Sequence, residues 1–233
     1  MSEETQQPNV DHYKMIEEDP MSVMTPMHGP IDTSIRQQID EYFGQGGDAK
    51  RYDYPELTPD SIVFDVGAFE GEFAQRIHDK YGSFVYMFEI APEFIDTLNK
   101  RYGDHEKIWI FQHGLGHEAG SFSLRRAANA TTIHAQEEDG EAEIKKLSAF
   151  MESEMDGKDV DLIKINIEGP EYDLVDHILD SGLIKRFKNL QVQFHNFVPD
   201  AGKRLLAIRK RLKETHDMTW SFDFVFENWK LRE

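Results

Sequence analysis

"VFDVGAFEGEF", Val63 to Phe73, opens with a short apolar run carrying an acid near its end, Asp65, and then sets Gly67 and Gly71 around Ala68, Phe69 and Glu70. Phe73, Ile77 and Tyr81 follow at helical spacing. A buried strand, a glycine turn and an amphipathic helix make the opening unit of an open α/β sheet. In such sheets ligands bind beyond the carboxyl ends of the strands where the strand order reverses, and the first strand-to-helix turn commonly lies there. Gly67 lets the backbone bend tightly or approach a ligand, and Gly71 lets the next helix pack closely. The spacing Asp-x-Gly-x-x-x-Gly is not the phosphate-binding Gly-x-Gly-x-x-Gly, and no Lys-Ser or Lys-Thr follows to make a triphosphate loop.

The same alternation continues outward. "FVYMFE" reads as a second strand before a helix carrying Phe94, Leu98 and Tyr102, and "KIWIFQ" as a third. The stretch "GSFSLRRAANATTIHAQEEDGEAEIKKL" breaks the pattern and suits a hairpin and loop excursion, in which "NATTI", Asn129 to Ile133, either faces a substrate or only stabilises a turn. "DVDLIKIN" is the next strand, with Pro170 at a plausible first helical position, and "NLQVQFHNF" the one after. A helix with Leu205, Ile208 and Leu212 inward carries a basic cluster outward, read as a solvated face, and "WSFDFVFENW" supplies closing strands. Upstream, Ile31, Ile35, Ile39 and Phe43 mark a helix over 31–47, with Asp32 or Thr33 as caps. Residues 1–30, with four prolines, read as a flexible arm; 31–233 read as one domain with its core at 60–233.

Composition narrows the function. With 44 acidic against 26 basic residues the net charge is −18, which disfavours nucleic acid or an anionic membrane and favours a small-molecule or glycan acceptor. With no cysteine in the chain, neither a disulfide nor a thiol nucleophile is available. No apolar run approaches the roughly 18–20 residues of a spanning helix, and "MSEETQQ" lacks signal-peptide features, so a cytoplasmic protein is expected. The sequence leaves the oligomeric state open.

Glu89 ends the second strand, where a carboxylate either grips a ribose diol or caps the following helix. "FDVGAFEG", "FEIAPE", "HGLGHEAGSFSL", "NATTI" and "DLIKINIEGPEYDLV" together resemble, over about residues 60–200, S-adenosylmethionine-dependent methyltransferases of the FkbM type. The resemblance implies a Rossmann-like class I methyltransferase fold, a mostly parallel central sheet with helices on both faces, and methylation of a hydroxyl on a sugar, glycan precursor or natural-product scaffold. It also implies that Asp65, Gly67, Ala68 and Gly71 line the methionine half of the cofactor, that Glu89 grips its ribose, and that Gln112 lies near the adenine; Phe69 and Asn166 are expected at the cofactor site as well. Family members commonly carry asparagine where this chain has Phe69 and aspartate where it has Asn166. Phe69 removes a polar contact that Glu70 or water can replace, and Asn166 cannot accept a proton.

Methyl transfer needs the acceptor oxygen held against the methyl carbon and is helped by a base. Lys164, Asn166 and Glu168 alternate along one strand end and are expected to share a face; Glu168 is the better base, Asn166 orients a hydroxyl or the cofactor amine, and Lys164 and Glu168 either act in catalysis or pair with each other. His195 is either a base or a packed strand-end residue, beside Asn196. Asp161, Asn166, Glu168, His195 and Asn196 include magnesium-type ligands without a diagnostic spacing, so no metal is expected, and His113, His117 and His134 read as surface or loop residues. The expected activity is O-methyl transfer. The alternatives are an amine or carboxylate acceptor, or a non-catalytic S-adenosylmethionine-binding or partner-binding module.

Overall fold

The structure, a computed structural model, describes residues 33–127, 130–132 and 138–233; the arm of residues 1–30, Ile31, Asp32, Asn129, Ile133 and His134 lie outside the described residues. Helix α1 (Thr33–Gly44) and a single turn α2 (Gly47–Lys50) come first. Ile35, Ile39 and Tyr42 of α1 pack on Phe222, Val225 and Phe226 near the chain's end. Tyr42 takes the place expected for Phe43, which stands exposed, because two turns of α-helix span about seven residues rather than eight.

The core then alternates β1 (Ile62–Val66), α3 (Glu72–Tyr81), β2 (Phe84–Phe88), α4 (Pro92–Tyr102) and β3 (Ile108–Phe111). The excursion is more than a hairpin. Strands β4 (Gly114–Gly116), β5 (Gly120–Ala127), β6 (Ala130–Thr132) and β7 (Glu138–Lys146) form a second sheet in the order β4-β7-β5-β6. Its β4–β7 pairing is parallel and long-range, so no local turn signal announces it. There follow α5 (Leu147–Ser153), β8 (Leu162–Ile165), α6 (Glu171–Asp180), β9 (Asn189–Val192), α7 (Ala201–Leu212) and the hairpin β10 (His216–Phe222) with β11 (Phe226–Leu231). Pro170 is the N-cap of α6 rather than its first helical residue.

The main sheet has the order β10-β11-β9-β8-β1-β2-β3. Neighbouring strands from β9 to β3 run parallel, and β10 and β11 are antiparallel additions at one edge. From β1 the chain steps outward to β3, then jumps to β8 on the other side, which makes the gap between β1 and β8 the topological switch point. Helices cover both faces. Phe73 and Ile77 of α3 and Leu98 and Tyr102 of α4 pack on Val63, Val85 and Met87, while α5, α6 and α7 pack on Phe64, Phe88, Ile163 and Leu190. Burial on both faces explains why these strands read as continuous apolar runs. The basic face of α7 is not simply solvated: Arg204 pairs with Asp173, Arg211 with Asp176 and Arg209 with Glu227. Its arginines match the acidic side of α6 and the closing hairpin.

Candidate active site

Two turns open at the switch point. In the first, between β1 and α3, the Gly67 and Ala68 amides both donate to the Phe88 carbonyl, which hooks the turn onto β2. Gly67 has φ +81°, and a Cβ there would lie 1.9 Å from the Asn166 carbonyl oxygen. Its freedom therefore lets the ends of β1 and β8 close on each other. A Cβ at Gly71, φ +83°, would lie 2.8 Å from Leu98 and Tyr102, so this glycine seats α4. Ala68 is buried, whereas Phe69 is 43% exposed at φ +51°, its ring edge-on to Phe94 with centroids 4.2 Å apart.

Glu89 holds this turn together. One carboxylate oxygen accepts the Phe69 amide at 2.7 Å, and the other accepts Ile90 and Ala91 amides at 2.8 and 2.9 Å, at the entry to α4. Burial pushes its pKa up, and the three amides oppose that shift by stabilising the anion. The Glu89 amide in turn donates to the Phe111 carbonyl at the end of β3, and Gln112, the next residue, is exposed beside it. Of the two readings of Glu89, helix and turn capping is present in the geometry; an oxygen with one amide still has a lone pair for a ribose hydroxyl.

Asp65 and Lys164 are register partners on adjacent parallel strands, and their side chains meet at 2.8 Å with almost no exposure on either. Lys164 also donates to the Gly67 carbonyl at 2.6 Å. Burial raises the Asp65 pKa, with Lys164 opposing. Lys164 therefore pairs with Asp65, not with Glu168, and stitches the two turns together.

In the second turn, between β8 and α6, the strand ends at Ile165, and Glu168 follows at φ +58° and Gly169 at φ +123°. The alternation expected to align Lys164, Asn166 and Glu168 is broken by this left-handed step. Asn166 stays against β1, its amide donating to the Val66 carbonyl, and Glu168 swings toward the loop after β9. There His195 Nε2 lies 3.3 Å from Glu168 and Nδ1 lies 3.0 Å from Glu171. Strand β9 ends at Val192, so His195 and Asn196 belong to the loop beyond it. Burial works against a charged His195, yet hydrogen bonds to Glu168 and Glu171 raise its pKa to about 10. Burial pushes Glu168 up as well, but His195 holds it below the usual carboxylate range. With a carboxylate facing each ring nitrogen the surroundings favour the protonated form, which donates from both nitrogens and has no lone pair to act as a base.

The structure thus gathers Asp65, Gly67, Asn166 and Lys164 at one point, and Glu168 and His195 beside it. Glu89 and Gln112 stand on the next strand ends over. Sequence reasoning missed Glu171, fully buried in the first turn of α6. His113 does lie in a loop, the bend between β3 and β4, but its ring is buried against Phe111 and Phe150 rather than at the surface. Asp161 lies at the opposite edge of the sheet, bonded to the Ile62 amide and to Lys188. Among the described residues no group of three or more His, Asp or Glu side chains is arranged to hold a metal ion.

A seven-stranded sheet of this order, with Asp65 near the end of β1 and Glu89 just past β2, is a Rossmann-like fold of the class I methyltransferase type. A model of the methyltransferase FkbM domain matches residues 65–220, and the chain belongs to that family. "Methyltransferase 1" from Beauveria bassiana (strain ARSEF 2860) is 26% identical over 153 residues, 54% of this chain and 61% of that protein. The chain therefore spans about three fifths of the length of this curated relative. Among solved structures, a putative rRNA-methylase from Clostridium thermocellum aligns with a TM-score of 0.50 at 10% identity, over 82% of this chain and 96% of that one. A Methanococcus jannaschii fibrillarin pre-rRNA processing protein aligns with a TM-score of 0.46 at 14% identity, over 75% and 67%. At 10% identity the Clostridium thermocellum alignment speaks only to fold.

The cofactor is S-adenosylmethionine. Two buried oxygens at the switch point suit its methionine end. Asn166 Oδ1 has no hydrogen-bond partner, and Asp65 Oδ2 has none at normal geometry, although the Ala74 amide is near enough to help hold its charge. Both are acceptors, and the cofactor's amino group is a donor.

Proposed function

We propose that this chain, a methyltransferase by family, methylates a hydroxyl oxygen on a sugar, glycan precursor or natural-product scaffold. Asp65 and Asn166 hold the cofactor amine, and Glu89 holds its ribose. When bound, S-adenosylmethionine supplies an electrophilic methyl group on a sulfonium. Glu168 orients the acceptor hydroxyl and takes its proton on the carboxylate. The observation that supports this reading is Glu168 itself: a carboxylate 31% exposed, held toward its anionic form beside His195, two residues past Asn166 in the turn that follows β8. A neutral acceptor also agrees with the net charge of −18 and with the pairing of the α7 arginines, which leaves them poorly placed to receive a phosphate backbone.

The test is an acceptor screen beginning with neutral sugars and glycosides and extending to sugar nucleotides, run on the wild type and Glu168→Gln, with product bonds assigned by mass spectrometry and cofactor binding followed by calorimetry. Glu168→Gln is expected to lower turnover by about 10²–10⁴-fold while S-adenosylhomocysteine binding is unchanged. A methylated nitrogen or carboxylate in the product, or full turnover by the variant, overturns the assignment. Cofactor binding without turnover on any acceptor favours a binding module.

A further inference from the structure

Glu171 makes more bonds than a helix cap requires. One oxygen accepts the Gly169 amide at 2.6 Å, which closes the turn before α6. The other reaches across to the loop after β9 and accepts both the His195 amide at 2.8 Å and the ring Nδ1 at 3.0 Å. The Tyr172 hydroxyl donates to the His195 carbonyl at 2.9 Å, so the backbone of this residue is fixed from both sides.

Both ring nitrogens of His195 face carboxylate oxygens. A neutral imidazole has one N–H and one lone pair, and a lone pair aimed at a carboxylate is repelled. A doubly protonated ring donates to both neighbours. The groups facing it are Glu171 from α6 and Glu168 from the turn; the Lys164 charge, on β8, is felt at Glu168, and the Phe197 ring flanks His195 with centroids 5.1 Å apart.

We infer that Glu171 is a positioning residue of the transfer reaction: it holds His195 as an imidazolium, which in turn fixes the Glu168 carboxylate at the acceptor side of the site. The inference rests on the reading of Glu168 as the base. It gives His195 the work of a fixed donor and makes the two loops one rigid wall. A buried carboxylate placed only to cap α6 would have no reason to bind His195 twice.

The experiment is a nuclear magnetic resonance titration of the wild-type chain with isotope-labelled histidine, the His195 signal being assigned from its loss in His195→Gln. The ring is expected to stay protonated well above neutrality, toward the value of about 10. In Glu171→Gln its titration is expected to move back toward about 6.5, and kcat to fall by about a hundredfold with S-adenosylhomocysteine affinity retained. Titration near neutrality in the wild type overturns the inference, as does a Glu171→Gln variant with unchanged titration and kcat. If that variant does not fold, the wild-type titration alone still decides. Full turnover by Glu168→Gln would remove the base and, with it, the role of Glu171. An inactive Glu168→Gln together with a His195 that titrates near neutrality removes only the positioning role.

Discussion

The third residue past β1 is Phe69 and the third past β8 is Glu168, and both sit in left-handed backbone, at φ +51° and +58°. Each costs about 1–2 kcal/mol relative to an ordinary conformation. The compensation differs. At Phe69 the backbone is held, its amide on Glu89, while the ring stands half in solvent against Phe94. At Glu168 the side chain is held, its carboxylate on His195, which is itself anchored by Glu171. On the proposed function, the turn that would grip the cofactor is stiffened through its main chain, and the turn that would take the acceptor proton is stiffened through charged side chains, because ionisation is what must be controlled there.

The sharpest way to break this contrast is Gly67→Ala, since the new Cβ would meet the Asn166 carbonyl, where the two turns touch. A loss on the order of 3 kcal/mol is expected in denaturant unfolding. A neutral result would mean that the turns are not braced against each other. Glu89→Ala tests the main-chain side alone: it strips the acceptor from three amides, and calorimetry should show cofactor affinity falling roughly tenfold to a hundredfold. Affinity unchanged in that variant would reduce Glu89 to a cap. The smallest effect is expected for Phe69→Asn. Asparagine accepts left-handed backbone more readily, but the aromatic pair, worth about 0.5–1.5 kcal/mol, is lost. Thermal unfolding should show a net gain below about 1 kcal/mol. A clear loss would mean that the ring contact with Phe94 outweighs the backbone strain.

The main-chain half of the site was legible because its signals are local. Asp65, Gly67, Gly71 and Glu89 stand at fixed offsets from strand ends that apolar runs already marked, and all lie at the carboxyl edge of the sheet. The side-chain half was not. Lys164 and Glu168 were expected to share a face, and they parted because one left-handed residue reverses the alternation on which that reading depends. Arg204, Arg209 and Arg211 showed only as a charged helix face, since their acidic partners lie on α6 and the closing hairpin. The second sheet escaped for the same reason, being closed by the parallel β4–β7 pairing.

The sequence by itself determined the alternation of strands and helices, the glycine turn, the acid at the end of β2 and the family, because hydrophobic period and turn chemistry act between near neighbours. The tertiary structure alone decided which groups meet: Lys164 with Asp65, and His195 between Glu168 and Glu171. Those pairings follow from strand order and register, and it is burial among particular partners that sets whether a carboxylate or an imidazole carries its charge.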